Sequence, residues 1–312
     1  MNWKIKALLQ KFLALTNIGD RLNHIPATLN KNYHCNVVTF QTHECVRRYS
    51  YCNLDLSISK TALEIGTGYS LISSIVLSLL GFEKIITVDI TRDLHFSTLK
   101  KQLNYVEEKV NLDKIVAHSI FSENEIREKI KLINQAQSLD SVFELLNINY
   151  IAPYTFEAIE KQNTQFDYIT SLVVLEHVNP EILDQLFKNT KTWLKKDGRC
   201  VHTINFIDHF ANPGIFQDKS ISEFNFLRYS NKYWSFWAGN SIAYTNRLSY
   251  VFYLELCDQY DLNVINFIGE NYRERKELDV NQIHTDILKK YSSNPDFKEL
   301  VKYQRGTLLI KA

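Results

Sequence analysis

Apolar positions along the chain fall into short blocks bounded by glycine, proline or charge. Residues 61–65 (TALEI) form a brief apolar run that stops at Gly66. A run of that length bounded by glycine reads as a buried parallel strand. Residues 70–80 are strongly apolar, with only serines between the Leu, Ile and Val, and end at Gly81, which predicts a buried helix with a glycine C-cap. Residues 84–89 (KIITVD) repeat the strand pattern. Strand, helix and strand within about thirty residues predict a βαβ unit with a right-handed crossover. Residues 95–147, charged and rich in Leu and Ile, predict a helical insertion. Further strands are predicted at 147–151, stopped by Pro153, and at 166–174. A helix is predicted over 180–194, with Pro180 suited to its first turn. A turn at Lys196-Asp197-Gly198 should lead into a fifth strand at 199–205. Residues 206–247 show no period and are crowded with Phe, Tyr and Trp. A helix over 248–260, strands at 262–268 and 307–310, and a polar helical stretch over 272–296 complete the chain. The alternation predicts an α/β sheet covered on both faces.

Residues 1–58 read as a helical N-terminal segment, a possible lid, with breaks near 17–20 and Pro26. Trp3, Ala7, Leu8, Phe12 and Leu15 share one helical face. That face predicts packing on the domain; the alternative is a helix resting on an anionic membrane surface. Gln10 and Lys11 interrupt the apolar stretch and no small-residue cleavage site follows, which argues against a secretory signal. No apolar run reaches the roughly 18 residues of a membrane span. The 312 residues carry 36 basic and 35 acidic side chains, net +1. There is no global basic field, so no nucleic acid partner is expected. Cys35, Cys45, Cys52, Cys200 and Cys257 are scattered without a C-x-x-C pair. Reduced thiols and a cytoplasmic location follow as expectations. His34-Cys35 and His43-Glu44-Cys45 have no distant partner at motif spacing, so no metal is expected. Arg47 and Arg48 are candidates to approach an anionic acceptor if residues 20–58 fold over the site.

Candidate chemistry begins at Glu64-Ile65-Gly66-Thr67-Gly68, where the first strand ends and a helix opens. In a doubly wound sheet, ligands bind outside the carboxyl ends of the strands. The two glycines permit a tight turn and close backbone approach. Asp89 ends the next strand, where an acid can accept hydrogen bonds from both ribose hydroxyls of a nucleoside. A dinucleotide fingerprint has a third glycine, but Leu71 stands in that position. Glu64 would repel a pyrophosphate and attract the ammonium and sulfonium of S-adenosylmethionine. On this reading the Glu64 charge decides between the two cofactor classes.

These segments resemble class I methyltransferases. ALEIGTGYS (62–70), ITVDI (86–90), FDYITSLVVLEHV (166–178) and LKKDGRCVHTIN (194–205) are similar, in order and spacing, to that family's successive motifs. The resemblance covers roughly residues 60–270 and a final strand. It implies a Rossmann-like domain over 59–312, with a seven-stranded, mostly parallel sheet. It also implies strand order 3-2-1-4-5-7-6 and an antiparallel seventh strand. Gly66, Thr67 and Gly68 would face the methionine end of S-adenosylmethionine and Asp89 its ribose. Ser171 would lie near the same site. Related sequences often place an acid after the third strand, near the adenine; here Thr155 stands there.

Transfer to a hydroxyl or amine needs a proton acceptor. The candidates are Asp208 and His209, adjacent just past the fifth strand, with His177 of VLEHV in reserve. His202, inside the fifth strand, reads as a hydrogen-bonded core residue. Residues 206–247 are the expected acceptor region, their aromatic faces suited to sugars or planar rings. DKSISEFNFLRYSNKYW (218–234) and the NRL turn (246–248) resemble bacterial methyltransferases of cell-surface glycan biosynthesis. The expected activity is therefore O-methylation of a small-molecule or glycan acceptor. Two alternatives stand: a non-catalytic metabolite-binding module, and a nicotinamide-dependent oxidoreductase.

Overall fold

The computed structural model describes residues 1–16, 30–211, 216–271, 276 and 278–312. The breaks expected near 17–20 and at Pro26 lie outside the described residues. Seven strands form one sheet: β1 (Thr61–Ile65), β2 (Lys84–Val88), β3 (Ile148–Ile151), β4 (Phe166–Leu172), β5 (Leu194–Asn205), β6 (Asn263–Glu270) and β7 (Arg305–Lys311). Their order is β3-β2-β1-β4-β5-β7-β6. β1 pairs in parallel with β2 and β4, and β2 with β3. Phe206 N–H bonds to Gln304 O, while Thr203 faces Thr307 through their hydroxyls. Partner numbers that run in opposite senses make β7 antiparallel to β5. This is the seven-stranded, mostly parallel α/β sheet expected.

The chain forms two compact units. One comprises residues 31–172, 189–202 and 309–312. Its central helix, Ile72–Leu80, is buried at every position and stops at Gly81, whose φ is +126°. An apolar helix without a polar face belongs inside a core. Helix Tyr33–Ser50 lays Val38, Cys45, Val46 and Tyr49 into the same core. The insertion resolves into helices Phe96–Leu103, Lys109–Val116, Glu123–Gln135 and Leu139–Leu146. A Ser122–Glu125 capping box starts the third of these, and Ile126, Ile130 and Ile133 bury one stripe of it. Capping residues and an i, i+4, i+7 stripe explain why so charged a segment is helical.

The expected turn at Lys196-Asp197-Gly198 is instead part of β5, which starts at Leu194. Gly198 is needed for close approach: a Cβ there would sit 2.9 Å from both the Phe166 carbonyl oxygen and Leu194 Cδ1. The described part of 272–296 is largely irregular, with short helical turns only at Val280–Gln282 and Thr285–Leu288.

The second unit comprises residues 1–30, 173–188 and 203–308. Its helix Trp3–Leu13 buries Trp3, Ala7 and Gln10. Trp3 packs against Phe210, Tyr229, Trp234 and Trp237, with centroids 5.4–5.9 Å apart. The face expected to be buried is thus corrected. Leu8, Phe12 and Leu15 are exposed, together with Met1, Ile5 and Leu9. One indole surrounded by four rings fixes the helix orientation and turns its longer apolar stripe outward.

Candidate functional site

Register places Ile65, Val88, Ile151 and Ser171 in one row across β1–β4, so the segments that follow emerge together at one edge. Gly66 and Gly68 adopt φ of +86° and +63°, conformations that favour glycine. Gly66 and Thr67 N–H groups both donate to Val88 O. The Thr67 and Thr87 hydroxyls lie 2.6 Å apart. Gly68 N–H donates to Asp89 Oδ2 at 2.7 Å, and Thr91 N–H to Asp89 Oδ1 at 3.2 Å. The glycine turn and the acid at the end of β2 are thereby one rigid constellation. A Cβ on Gly68 would meet nothing within 4 Å. This open, glycine-lined edge with a half-exposed carboxylate fits a nucleoside: backbone can approach the ligand, and Asp89 can accept from vicinal hydroxyls.

Glu64 differs from expectation. It is buried, and its Oε2 accepts hydrogen bonds from the Ser74 hydroxyl and, at 3.1 Å, from the Thr87 hydroxyl. Burial raises its pKa, against the lowering effect of those bonds and of the Arg48 charge. The carboxylate ties β1 to helix Ile72–Leu80 and to β2. Its selection of a cationic ligand by direct charge, argued from sequence, has no support in this geometry. Arg48 is likewise buried and donates to Thr170 Oγ1 at 2.9 Å, while Arg47 pairs with Glu44 at 2.8 Å. Neither guanidinium is presented to an acceptor. Ser171 is buried, its hydroxyl 2.8 Å from His202 Nδ1, and Cys200 Sγ lies 3.0 Å from His202 Nε2. His202 is the core residue expected, its pKa pushed down to about 3 by burial and then by Arg48. Thr155 serves as a helix N-cap, accepting from Ala158 N–H at 3.2 Å.

In the second unit, Val173 leaves β4 at φ +49°, a strained conformation for a β-branched residue. A 3₁₀ turn, Leu175–His177, follows. Asn246 holds this turn: its Nδ2 donates to Leu175 O at 2.7 Å and Val178 O at 3.0 Å, and its N–H to Glu176 O at 2.9 Å. Sequence reasoning singled out the NRL turn by resemblance and missed this role. His177 Nδ1 lies 2.9 Å from Tyr244 O. A carbonyl only accepts, so Nδ1 carries the proton and Nε2 has a free lone pair.

Asp208 and His209 do not converge as a pair. Asp208 is fully buried, accepting from Phe210 N–H at 2.8 Å and Asn225 Nδ2 at 3.2 Å. Burial raises its carboxyl to about 7. It shapes the loop, as a carboxylate bonded to the backbone two residues on commonly does. His209 instead packs edge-on against His177, centroids 4.8 Å apart. Burial, then His177 and Lys6, push the His209 pKa down to about 3. The His177 ring reaches solvent but is crowded enough by protein to lower its pKa too. Both imidazoles are neutral at pH 7. Glu176 beside them is buried, and burial raises it to about 8. The N–H groups of Glu176 and Asn205 and the Asn205 side chain lie near enough to oppose that rise, but none meets hydrogen-bond geometry with either carboxylate oxygen.

Most aromatics of 206–247 form core. Phe210, Phe224, Phe226 and Trp234 are buried, while Phe216, Tyr233 and Phe236 stay exposed. A cavity of about 150 Å³ lies among Trp234, Tyr244, Arg247 and Lys290. A larger one, about 300 Å³, lies at Gly81–Glu83, before β2 and away from the glycine turn.

A model of the methyltransferase domain family matches residues 37–265. No curated protein matches. Several solved structures share the outline. One is the methyltransferase domain of bacterial CtHen1, with 12% identity and TM-score 0.38 over 86% of this chain and 99% of that one. A cyclopropane-fatty-acyl-phospholipid synthase-like protein from Lactobacillus casei has 10% identity and TM-score 0.45 over 91% and 94%. PKMT2 from Rickettsia typhi, solved in complex with AdoHcy, has 13% identity and TM-score 0.43 over 87% and 52%. The family match runs through the glycine turn, Asp89 and the Leu175–His177 turn: the chain belongs to the methyltransferase domain family.

Proposed function

We propose that the protein is an S-adenosylmethionine-dependent methyltransferase acting on oxygen of a small or glycan-type acceptor. The observation that carries this reading is the Gly68–Asp89 hydrogen bond, which fixes a glycine turn and a nucleoside-type carboxylate at one sheet edge. Gly66, Thr67 and Gly68 would hold the methionine end, Asp89 the ribose, and Ser171 would back the site through its bond to His202. S-adenosylmethionine supplies a methyl carbon activated by its sulfonium. In the transfer the acceptor oxygen bonds to that carbon, the carbon–sulfur bond breaks, and sulfur keeps the electron pair. The acceptor's proton must leave, and the His177–His209 cluster, rather than Asp208, is assigned to that task. Leu71, packed in the core at the third fingerprint position, leaves no glycine for the close helix approach of a dinucleotide.

The glycan assignment is supported by the resemblance of 218–234. It is tested by incubating the protein with S-adenosylmethionine carrying a labelled methyl, together with glycan, nucleotide-sugar, nucleic acid and small-amine fractions. Label in a glycan or nucleotide-sugar fraction is expected. Binding of cofactor with no labelled product in any fraction would turn the reading towards a metabolite-binding module. Among the described residues the five cysteines form no disulfide, in keeping with a cytoplasmic site of action.

Membrane contact is proposed for helix Trp3–Leu13. Among the described residues no helix is long and apolar enough to cross a membrane. Yet Met1, Ile5, Leu8, Leu9 and Phe12 share one exposed face, opposite the buried Trp3 and Ala7. Lys4 and Lys11 border that face on one side, Lys11 Nζ donating to Phe236 O at 3.1 Å, while Lys6 on the other side is directed at the Phe210 ring. Lys4 and Lys11 beside an exposed apolar face suit anionic headgroups over an acyl layer. Co-sedimentation with phosphatidylglycerol vesicles, weaker with phosphatidylcholine and lost in Ile5→Glu/Leu9→Glu, is the expected result. No lipid binding, with a monomer–dimer equilibrium abolished by the same changes, would assign the face to a second copy.

A further inference from the structure

Three potential ligands cluster in the second unit, two of them the imidazoles assigned above to removal of the acceptor's proton. Glu176 and His177 stand on the Leu175–His177 turn, and His209 follows β5. One carboxylate oxygen and two ring nitrogens from these residues lie within 4.8 Å of one another. Both Glu176 oxygens and His209 Nε2 are buried without a hydrogen-bond partner. His177 Nδ1 is committed to Tyr244 O, which leaves its Nε2. Arg305, the cation that acts on Glu176, is paired with Glu270 at 3.1 Å. We propose that Glu176, His177 and His209 bind one divalent first-row transition cation.

Two imidazoles and a carboxylate are the donor set of open zinc and non-haem iron sites, and they suit cobalt and manganese as well. A hard cation such as magnesium prefers oxygen throughout. A ligating histidine commonly gives its other N–H to a backbone carbonyl, which fixes tautomer and ring orientation. The His177–Tyr244 bond is that contact. The cation answers the energetic question that Glu176 raises, since an unpaired buried carboxylate is costly and a metal partner offsets the cost. Bound ligands sit about 2.0–2.2 Å from zinc, so the donors must draw together by about 1 Å. A shift of the Glu176 carboxylate, which no hydrogen bond restrains, can supply that. The open side of the His177 ring leaves positions for water or for an acceptor oxygen. Taken with the methyl-transfer reading, on which this role rests, the cation would lower the pKa of an acceptor hydroxyl, so that its proton passes to solvent. Sequence reasoning named His177 and His209 as proton acceptors and missed the ligand cluster, because His209 lies about thirty residues beyond the other two, outside any short ligand motif.

The test is titration of the full chain with Co²⁺ and Zn²⁺, with Mg²⁺ as control. One equivalent of Co²⁺ should bind and shift the ring-proton resonances of two histidines. Glu176→Gln and His209→Gln should each weaken Co²⁺ binding more than tenfold. S-adenosylhomocysteine affinity should stay within about twofold, which reports a folded cofactor site and separates this proposal from the methyl-transfer reading. Absence of Co²⁺ binding, resonance shifts from fewer than two histidines, or undiminished binding in both folded variants would overturn it. Should either variant fail to fold, the resonance shifts of the unaltered protein decide the matter alone.

Discussion

Asp89→Ala is expected to weaken S-adenosylhomocysteine binding by about 10–100-fold while the protein stays folded. Asp89 has two tasks. Its Oδ2 accepts the Gly68 N–H at 2.7 Å and so holds the glycine turn against β2. The same carboxylate is the proposed acceptor for the ribose hydroxyls. Hydrogen bonds to a charged group contribute about 1.5–3 kcal/mol, and each 1.4 kcal/mol is tenfold in affinity. The residue is half-exposed at the strand end, so the alanine variant leaves no unpaired group in the core. Asp89→Asn, which keeps one acceptor and loses the charge, should fall between wild type and alanine. Calorimetric titration of the three proteins gives the ranking directly. A loss below about threefold for alanine would remove Asp89 from the cofactor site.

The second large effect is on acid stability. His202 is fully buried between Ser171 and Cys200, with its pKa pushed down to about 3. In the unfolded chain an imidazole titrates near 6.5. The folded-state value is depressed, so from about pH 6.5 downwards the unfolded chain takes up a proton that the folded protein refuses. Stability contributed by the neutral ring is therefore complete above about pH 6.5 and lost as pH falls towards 3. Each unit of difference is about 1.4 kcal/mol, giving roughly 2–3 kcal/mol between pH 6.5 and 4.5. His202→Gln, which keeps a donor and an acceptor, should lose that much less over the same interval. Glu176 and Asp208, raised by burial, act in the opposite sense, but both proteins contain them and their effect cancels in the difference. Urea midpoints at the two pH values measure it; parallel slopes would show that His202 is not held neutral.

Much of the sheet was legible because buried parallel strands announce themselves as short apolar runs ended by glycine or charge. Gly66, Gly68 and Asp89 were legible for a related reason: a turn with positive φ needs glycine, and an acid ending β2 has few other roles. The expectations that failed turn on side-chain direction, which sequence does not encode locally. Glu64 points to Ser74 and Thr87, Asp208 to the Phe210 N–H and Asn225, and the indole of Trp3 chooses the buried face of its helix. Charge at the strand tip therefore does not carry the cofactor argument, and the proposed function rests instead on the glycine turn with Asp89. Gly198 was read as a turn because close strand contact and turn formation select the same residue. The Glu176–His177–His209 cluster and its support by Asn246 depend on contacts between segments far apart in the chain, and no local pattern carries them.

A crystal structure of the protein with S-adenosylhomocysteine is the most direct measurement. The account requires the nucleoside to lie over the Gly66–Gly68 turn, with ribose oxygens at hydrogen-bond distance from the Asp89 carboxylate. Ligand bound elsewhere, or a dinucleotide seated at that turn in its place, would contradict it.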